Sequence, residues 1–174
     1  QGRPSGALGL WSSRAVTFLE NHDTGSTLQH WPFPWDHVSE GYAYILTHPG
    51  TPCVFFDHFY YDESIKHDIL KLIEIRKSYG ISNKSEVVVQ KAYKDVYAAI
   101  INKKIAVKVG RSFRRDLFQY QMGYPYHVII CVSADRAWKL FSKRRFFSEG
   151  VEHASQWKEL CCMGSLKDGL FLNS

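Results

Sequence analysis

Two stretches of the chain end in side chains that could do chemistry. Asn21, His22 and Asp23 follow one apolar run, and Asp57 and His58 follow another. A carboxylate fixed at the end of a strand can stabilise developing positive charge, and a neighbouring imidazole can hydrogen-bond a bound ligand. Taken singly, Asp23 could equally cap a turn, and His22 could be a buried, hydrogen-bonded histidine. Asp57 and His58 either shape the floor of a site or pair locally.

The elements that carry these residues alternate between strand and helix. Residues 15–21 and 51–56 are mostly apolar, which predicts two buried strands. Residues 36–47 and 63–79 have apolar side chains at spacings of three and four, which predicts two helices, with Asp36 as the N-cap of the first. This order is typical of a parallel sheet with helices on its outside.

A second pattern begins near residue 84. Residues 86–90, 96–101 and 105–109 predict strands, and Asn102-Lys103-Lys104 predicts the turn between the last two. We therefore expect an antiparallel, all-β unit. Residues 127–132 could form a further strand, but the rest of that region lacks clean periodicity and is left unassigned.

Composition limits the class of protein. The chain has 174 residues, of which 45% are hydrophobic, so it can bury a core. No run approaches the roughly 20 apolar residues of a membrane helix, so no membrane partner is expected. The chain begins Gln1-Gly2, without Met and without the layout of a signal peptide, so we expect further sequence upstream.

The net charge of +5 comes mainly from the end of the chain. Residues 1–110 hold 12 Lys/Arg against 11 Asp/Glu, whereas residues 111–174 hold 10 against 6. A basic segment can bind nucleic acid, but a mildly basic one is usually solvated without a partner. We predict no nucleic-acid partner and keep nucleic-acid binding as the alternative.

The four cysteines do not form a recognisable framework. Cys53 lies in an apolar run and is expected to pack as a small hydrophobe. Cys161 and Cys162 are adjacent and, with Cys131, fit no C-x-x-C spacing. The sequence predicts neither a disulfide framework nor a zinc site, which favours a reducing compartment.

The first chemical triplet belongs to a longer motif. Residues 18–26 read Phe-Leu-Glu-Asn-His-Asp-Thr-Gly-Ser, and Trp31-Pro32-Phe33-Pro34, residues 41–52 and residues 55–59 follow. This succession resembles the last signature block, and the segments after it, of plant-type α-amylases in the α-amylase family of glycoside hydrolases. The resemblance runs from about residue 6 to residue 110.

The resemblance implies a fold. The family has an eight-stranded (β/α)8 TIM barrel followed by a small antiparallel β domain. On that map, residues 1–83 are the C-terminal part of the catalytic barrel, and residues 84–110 begin the β domain. Residues 111–174 form a divergent basic tail without family resemblance. We therefore predict an α/β fold made of the last two β/α units of a barrel and the start of an antiparallel sheet.

The resemblance also implies a site. In the family, an Asp nucleophile, a Glu acid/base and a second Asp cleave α-1,4-glucosidic bonds of starch or glucan with retention. Asp23 matches the second Asp, the transition-state stabiliser, and His22 matches a residue that hydrogen-bonds the sugar. The other two carboxylates belong to earlier barrel strands that this chain lacks. Trp31 and Trp35 either stack on glucose rings or pack a proline-stiffened loop.

The predicted function is that of an α-amylase fragment that is inactive as an isolated chain. The alternative is a non-catalytic glucan-binding protein or a non-functional truncated homologue. Calcium is implied for the full-length enzyme, but no metal ligand is assigned in this chain; Asp57, Asp62 and Glu63 fit no known loop pattern. An intracellular location, plastid or cytosol, is favoured over secretion. Because two strands of a barrel leave open edges, we also expect the chain alone to be poorly soluble or partly unfolded.

Overall fold

The computed structural model describes residues 2–25 and 30–111 with their side chains, and the backbone of two later strands. The helices are α1 (Gly6–Trp11), α2 (Val38–Thr47), α3 (Phe56–Tyr60) and α4 (Glu63–Ser78). The strands are β1 (Val16–Thr17), β2 (Thr51–Pro52), β3 (Val87–Tyr93), β4 (Val96–Ile101), β5 (Ile105–Val109), β6 (Val128–Val132) and β7 (Lys139–Ser142). Short 3-10 turns lie at Ser12–Arg14 and Trp35–His37.

Strands β1 and β2 are parallel neighbours, and α2 lies between them in the chain. Val16 is opposite Thr51 and Thr17 is opposite Pro52. The predicted order of strand, helix, strand and helix is therefore present, but the strands are much shorter than residues 15–21 and 51–56. Pairing lasts for two residues, and the chain enters α3 at Phe56. The described residues contain this one parallel pair, so the eight-stranded barrel stays a prediction.

One face of this parallel pair is open in the described part of the chain. Cys53 is exposed, so the expectation that it packs as a small hydrophobe is wrong. Val16 and Phe18 have 59% and 51% of their surface exposed. These side chains are apolar, which is why burial was predicted, but no described element covers them.

Helices α2 and α4 differ in how they begin. Asp36 is not the N-cap of α2, because it lies inside the 3-10 turn Trp35–His37 and His37 takes the cap position without a side-chain hydrogen bond. By contrast, Asp62 caps α4, where its Oδ1 accepts from the backbone N–H groups of Ser64 and Ile65 at 2.9 and 3.0 Å. The predicted helical stretches themselves are confirmed.

The second unit is a five-stranded sheet in the order β3-β4-β5-β6-β7. Neighbours are antiparallel as predicted, except that β5 and β6 run parallel. Asn102 and Lys103 form the β4–β5 turn with positive φ of 50° and 56°, a geometry matched to the twist of a hairpin. Strand β6 coincides with the strand considered for residues 127–132.

The two units share one hydrophobic core. Fully buried apolar side chains from two helices and two strands pack together, including Val38, Tyr42, Leu46, Ile65, Ile69, Leu72, Ile101, Ile105 and Val107. A typical buried side chain of this size contributes about 1.5–3 kcal/mol relative to exposure. Packing of α2 and α4 against the sheet is therefore a main source of stability.

Arg76 of α4 holds the connection between α2 and β2. Its guanidinium donates to the carbonyl oxygens of Leu46, His48 and Gly50 at 2.9, 2.7 and 2.8 Å. Leu46 belongs to the last turn of α2, whose carbonyls lack intrahelical partners, and His48 and Gly50 follow the helix. All three residues are buried, so the Arg76 guanidinium satisfies acceptors in a buried connection.

His48 links the helices to the sheet. Its Nδ1 lies 2.8 Å from the Tyr44 carbonyl oxygen, which can only accept, so Nδ1 carries the proton. Its Nε2 therefore accepts from the Tyr97 hydroxyl on β4, at 2.8 Å. Burial lowers the pKa of His48 to about 4, so the ring is neutral at physiological pH.

Candidate functional site

The triplet Asn21, His22 and Asp23 forms a turn that begins four residues after the end of β1. The Asn21 side-chain oxygen accepts from the backbone N–H groups of Asp23 and Thr24 at 3.0 and 3.1 Å. The Asn21 N–H donates to the Thr24 hydroxyl at 3.2 Å, and the Gly25 N–H donates to the Asn21 carbonyl at 3.0 Å. Asn21 is thus the residue that folds the turn, which is the local role that asparagine favours.

This turn leaves His22 and Asp23 open to solvent. Their side chains are 86% and 63% exposed, and His22 Nε2 lies 3.4 Å from Asp23 Oδ1. The structure therefore excludes a buried structural histidine at position 22. Both side chains are accessible to a ligand, and together they offer a carboxylate and an imidazole.

Glu20 lies buried beneath the turn. One carboxylate oxygen accepts from the backbone N–H of Phe33, and the other lies 2.9 Å from His58 Nε2. Only 7% of Glu20 is exposed. A buried carboxylate is costly unless donors surround it. This side chain therefore fixes β1, the proline-rich loop and α3 to one another.

His58 also forms a hydrogen bond to α2. Its Nδ1 lies 2.9 Å from the Tyr42 hydroxyl, which also accepts from the Phe55 N–H at 3.1 Å. Burial lowers the pKa of His58, although the negative charge of Glu20 opposes this effect. A neutral ring that donates from Nε2 to Glu20 and accepts at Nδ1 from Tyr42 satisfies every partner.

The Tyr42 hydroxyl is a donor over the whole physiological range. Burial raises the pKa of Tyr42 to about 12. Tyr42, Phe55 and Trp35 each place a ring edge-on to the His58 ring, with centroids 5.6, 5.3 and 5.8 Å away. His58 therefore lies in an aromatic box. Its hydrogen-bond partners Glu20 and Tyr42 belong to other segments of the chain, so its pairing is not local and the contacts support the alternative that His58 shapes the floor of the site.

Gly25 closes the turn against Glu20. A Cβ atom at Gly25 would lie 2.5 Å from Glu20 Oε2 and 2.8 Å from its Cδ. Since Glu20 is held by Phe33 and His58, it has little freedom to move away. The requirement for glycine here is close approach, because its φ is not among the positive values of the chain.

The two tryptophans occupy different environments. Trp31 is 82% exposed, and its backbone N–H donates to the Thr24 carbonyl at 3.3 Å, so it lies beside the turn. Trp35 is 49% exposed and packs on His58. Packing accounts for part of Trp35, whereas Trp31 has a tilted ring contact with the neighbouring His30, at 6.4 Å between centroids, and stays largely exposed. Sugar stacking by either ring stays a prediction.

Sequence reasoning did not identify Glu20 or Tyr42. The available signals were a carboxylate at the end of an otherwise apolar strand and a tyrosine on the core face of α2. Both types of residue need hydrogen-bond partners when buried. Asp57 lies on α3 next to His58 and is partly buried, and its negative charge, like that of Glu20, opposes the lowering of the His58 pKa by burial.

A cavity of about 800 Å³ lies between β1 and α2, and neither His22 nor Asp23 lines it. Its walls are mainly apolar and include Val16, Phe18 and Phe33. Glu40 also lines it, but the Oε2 atom of Glu40 is paired with His37 and its Oε1 atom has no solvent access. The cavity is therefore separate from the candidate site.

The described residues contain neither a cluster of metal ligands nor a membrane-spanning helix. Across those ranges, no group of three or more His, Cys, Asp or Glu side chains is placed to hold a metal ion. No described helix has the length and apolarity needed to cross a membrane.

The fold has a polar turn after the first strand of a parallel pair and a mostly antiparallel sheet after the helices. Known proteins are similar to this chain in sequence. Residues 78–141 match the α-amylase C-terminal β-sheet domain. The match continues past residue 110, where the sequence prediction ended the resemblance. It covers the described strands β3 to β6 and reaches into β7.

Three curated relatives point to the same family. The chain is 61% identical over 111 residues to Probable alpha-amylase 2 of Arabidopsis thaliana, covering 63% of this chain and 27% of that protein. It is 54% identical over 110 residues to Alpha-amylase 3, chloroplastic, of the same plant, covering 63% and 12%. It is 50% identical over 112 residues to Alpha-amylase type B isozyme of Hordeum vulgare, covering 64% and 72%.

The chain belongs to the α-amylase family. The predicted resemblance is thereby confirmed. The chain spans about a quarter of the first of these relatives and an eighth of the second.

Proposed function

We propose that this chain supplies part of the substrate site of an α-amylase-type glycoside hydrolase that cleaves α-1,4-glucosidic bonds inside starch or related glucans. Asp23 stabilises the positive charge that develops on the sugar ring, and His22 hydrogen-bonds the sugar at the cleavage point. The barrel of which β1 and β2 would be the last two strands belongs to the same proposal.

The observation that carries this proposal is the exposed pair of His22 and Asp23 on a turn with a buried anchor. The two side chains are accessible, while Glu20 beneath them is fixed by two donors. A site that stabilises a transition state benefits from groups that need no rearrangement during reaction. The carboxyl end of a parallel strand is where barrel enzymes place such groups.

Retaining cleavage needs two further carboxylates, a nucleophile and an acid/base. Glu20 is a poor candidate for either role, because both of its oxygens are engaged and it is buried. We therefore propose that these two groups come from sequence outside this chain, and that the chain by itself is catalytically inactive.

The same observation favours a second candidate function. Without a nucleophile in reach of Asp23 among the described residues, the turn and the adjacent Trp31 could bind glucan without cleaving it. A non-catalytic glucan-binding or non-functional truncated homologue is therefore the alternative proposal.

Calcium remains an expectation for the whole protein, since no described cluster of ligands fits it. A plastid or cytosolic location is likewise a proposal, supported by the similarity to a relative named as chloroplastic.

The test uses the purified chain, maltoheptaose and soluble starch. We expect no release of reducing ends from starch, and we expect maltoheptaose to shift the ring signals of His22 in NMR spectra. Asp23→Asn should weaken maltoheptaose binding about tenfold, equivalent to about 1.4 kcal/mol. Asp36→Asn is the matched control, because Asp36 is a similarly exposed carboxylate on the neighbouring 3-10 turn.

Two results would contradict these proposals. Starch hydrolysis by the chain that disappears in Asp23→Asn would show that the chain is active alone. Unchanged His22 signals at high maltoheptaose concentration would show that this turn does not bind glucan.

A further inference from the structure

Helix α3 carries a group of exposed aromatic side chains. Phe56 and Tyr60 are its first and last residues and Tyr61 follows as its C-cap; they are 60%, 59% and 75% exposed. His58, between them in sequence, is buried against Glu20. One side of this short helix therefore packs against Glu20 below the candidate site, and another side carries aromatic rings exposed to solvent.

The rings form a corner with two walls. Phe56 and Tyr60 are partly stacked, with centroids 4.4 Å apart and planes tilted by 33°. Tyr61 is nearly perpendicular to Phe56, at 6.5 Å and 82°. Phe56, which contacts both tyrosines, lies at the centre of the group, which we name the α3 aromatic corner.

We propose that the α3 aromatic corner is a second binding position for an α-1,4-linked glucan chain. The apolar C–H face of a glucose ring suits an aromatic face, and its rim of hydroxyl groups suits the phenolic hydroxyls of Tyr60 and Tyr61. A sugar can therefore join the Phe56–Tyr60 stack as a further layer.

The choice of a glucan over another partner rests on continuity with the candidate site. His58 is two residues from Phe56 and Tyr60, and its Nε2 contacts Glu20, three residues before Asp23. Trp35, itself half-exposed, packs on the same His58 ring. A polymer bound at His22 and Asp23 thus has further aromatic surface on an element that is hydrogen-bonded to the base of that site.

This inference rests on the proposed function for its ligand, but not for its location. It predicts a contact at α3 that does not depend on the charge of Asp23. A glucan anchored at two positions dissociates more slowly than one held at a single position.

The experiment follows the aromatic ring signals of the whole chain in NMR spectra during titration with maltoheptaose. We expect shifts at Tyr60 and Tyr61. Tyr60→Ala should weaken binding about three- to tenfold, in line with the strength of a single aromatic contact. Tyr60→Phe, which keeps the ring, should retain most of the affinity. These expected shifts at Tyr60 should persist in Asp23→Asn.

The matched control is Tyr93→Ala. Tyr93 lies on β3 and is 50% exposed, close to the exposure of Tyr60, so its removal tests whether loss of any exposed tyrosine has the same effect. The amide spectrum of each variant reports whether the fold is kept.

The outcomes separate this inference from the proposed function. If maltoheptaose shifts His22 but not Tyr60, the α3 aromatic corner is not a glucan site and the proposed function stands. If it shifts neither, both fail. If Tyr60→Ala changes the oligomeric state of the chain and leaves maltoheptaose affinity unchanged, the corner is a contact between copies and the inference is wrong.

Discussion

Glu20 Oε2 and His58 Nε2 lie 2.9 Å apart, and both side chains are buried. This contact joins the segment that follows β1 to α3, and the second Glu20 oxygen accepts from the loop that carries Trp31 and Phe33. The exposed turn at Asn21 to Asp23 therefore rests on a rigid base. The consequences of disturbing that base are testable in the chain by itself.

Removing the Glu20 carboxylate should destabilise the chain. Glu20→Ala leaves the Phe33 N–H and the His58 Nε2–H without acceptors, and each buried orphan donor costs about 1–3 kcal/mol. We expect the free energy of unfolding to fall by about 2–4 kcal/mol, measured by urea denaturation. Glu63→Ala is the control. Glu63 is 83% exposed and paired with Lys66 at 3.0 Å, so its loss should cost less than about 1 kcal/mol. Equal losses would show that Glu20 is not an anchor.

Adding one methyl group at Gly25 should be damaging because of Glu20. In Gly25→Ala the new Cβ meets Glu20 Oε2 at 2.5 Å, so we expect a loss of about 1–3 kcal/mol. Glu20→Asp shortens the facing side chain. A double-mutant cycle should therefore show that Gly25→Ala costs less in the Glu20→Asp background. Strictly additive losses would contradict the close approach.

His48 should make stability fall at mildly acidic pH. Its pKa is about 4 in the folded chain and about 6.5 when unfolded, so the unfolded state binds more protons between these values. Stability is then fully present above about pH 6.5 and is lost as the pH falls towards 4, by roughly 3 kcal/mol in total. The lowered pKa of His58 acts in the same direction.

The measurement is urea denaturation at a series of pH values. His48→Gln, which can retain a donor and an acceptor, should flatten the dependence between pH 4.5 and 6.5. The control is His67→Gln, the same substitution at an exposed position of α4, and its curve is compared with that of His48→Gln. A wild-type stability that is constant over this range would rule out a neutral buried His48.

Arg76 should not be replaceable by lysine. A lysine ammonium cannot reproduce the planar geometry that reaches the carbonyls of Leu46, His48 and Gly50. We expect Arg76→Lys to cost about 1–3 kcal/mol, since buried carbonyls lose their donors. Lys77→Arg in the same helical turn is the comparison and should be nearly neutral. Thermal denaturation followed by circular dichroism would show a lower midpoint for Arg76→Lys alone.

The open face of β1 should promote self-association. Leu10, Trp11, Val16 and Phe18 are all at least half exposed in the described structure. Large apolar patches drive association, so we expect concentration-dependent oligomers in analytical ultracentrifugation. Val16→Thr combined with Phe18→Ser should shift the distribution towards monomer. A wild-type monomer with a sharp, cooperative thermal transition would count against this expectation.

The sequence predicted those elements whose hydrophobic pattern is local. Residues 36–47 and 63–79 carry a helical stripe, and the structure confirms α2 and α4 with small changes at their ends. The β4–β5 hairpin was likewise predictable, because Asn102-Lys103-Lys104 favours a tight turn between β-branched runs. These signals depend on neighbours within a few residues.

Other features depend on contacts that no local pattern records. Strands β1 and β2 are short because only two residues of each form the parallel pair. The apolar character of residues 15–21 and 51–56 does not determine the length of this pairing. Asp36 has the right side chain for a cap, but Pro34 precedes a 3-10 turn that moves the start of α2 to Val38. The parallel pairing of β5 with β6 joins residues that are distant in sequence.

The candidate site was half predictable. His22 and Asp23 belong to a recognisable motif, and the structure shows that both are exposed. The anchor formed by Glu20, His58 and Tyr42 joins three segments separated by up to 38 positions in the sequence, so its members could be recognised only after folding. Of the two alternatives for Asp57 and His58, local pairing does not describe His58, whose partners Glu20 and Tyr42 come from distant segments.

The hydrogen bond from Tyr97 to His48 links the helices to the sheet and should make the two parts unfold together. The family match begins at residue 78, inside α4, yet side chains on both sides of that point share a core. A protease cut near residue 83 would therefore not release two autonomous pieces. Amide protons of α2 and of β4 should exchange with solvent at similar free energies, as a single cooperative unit.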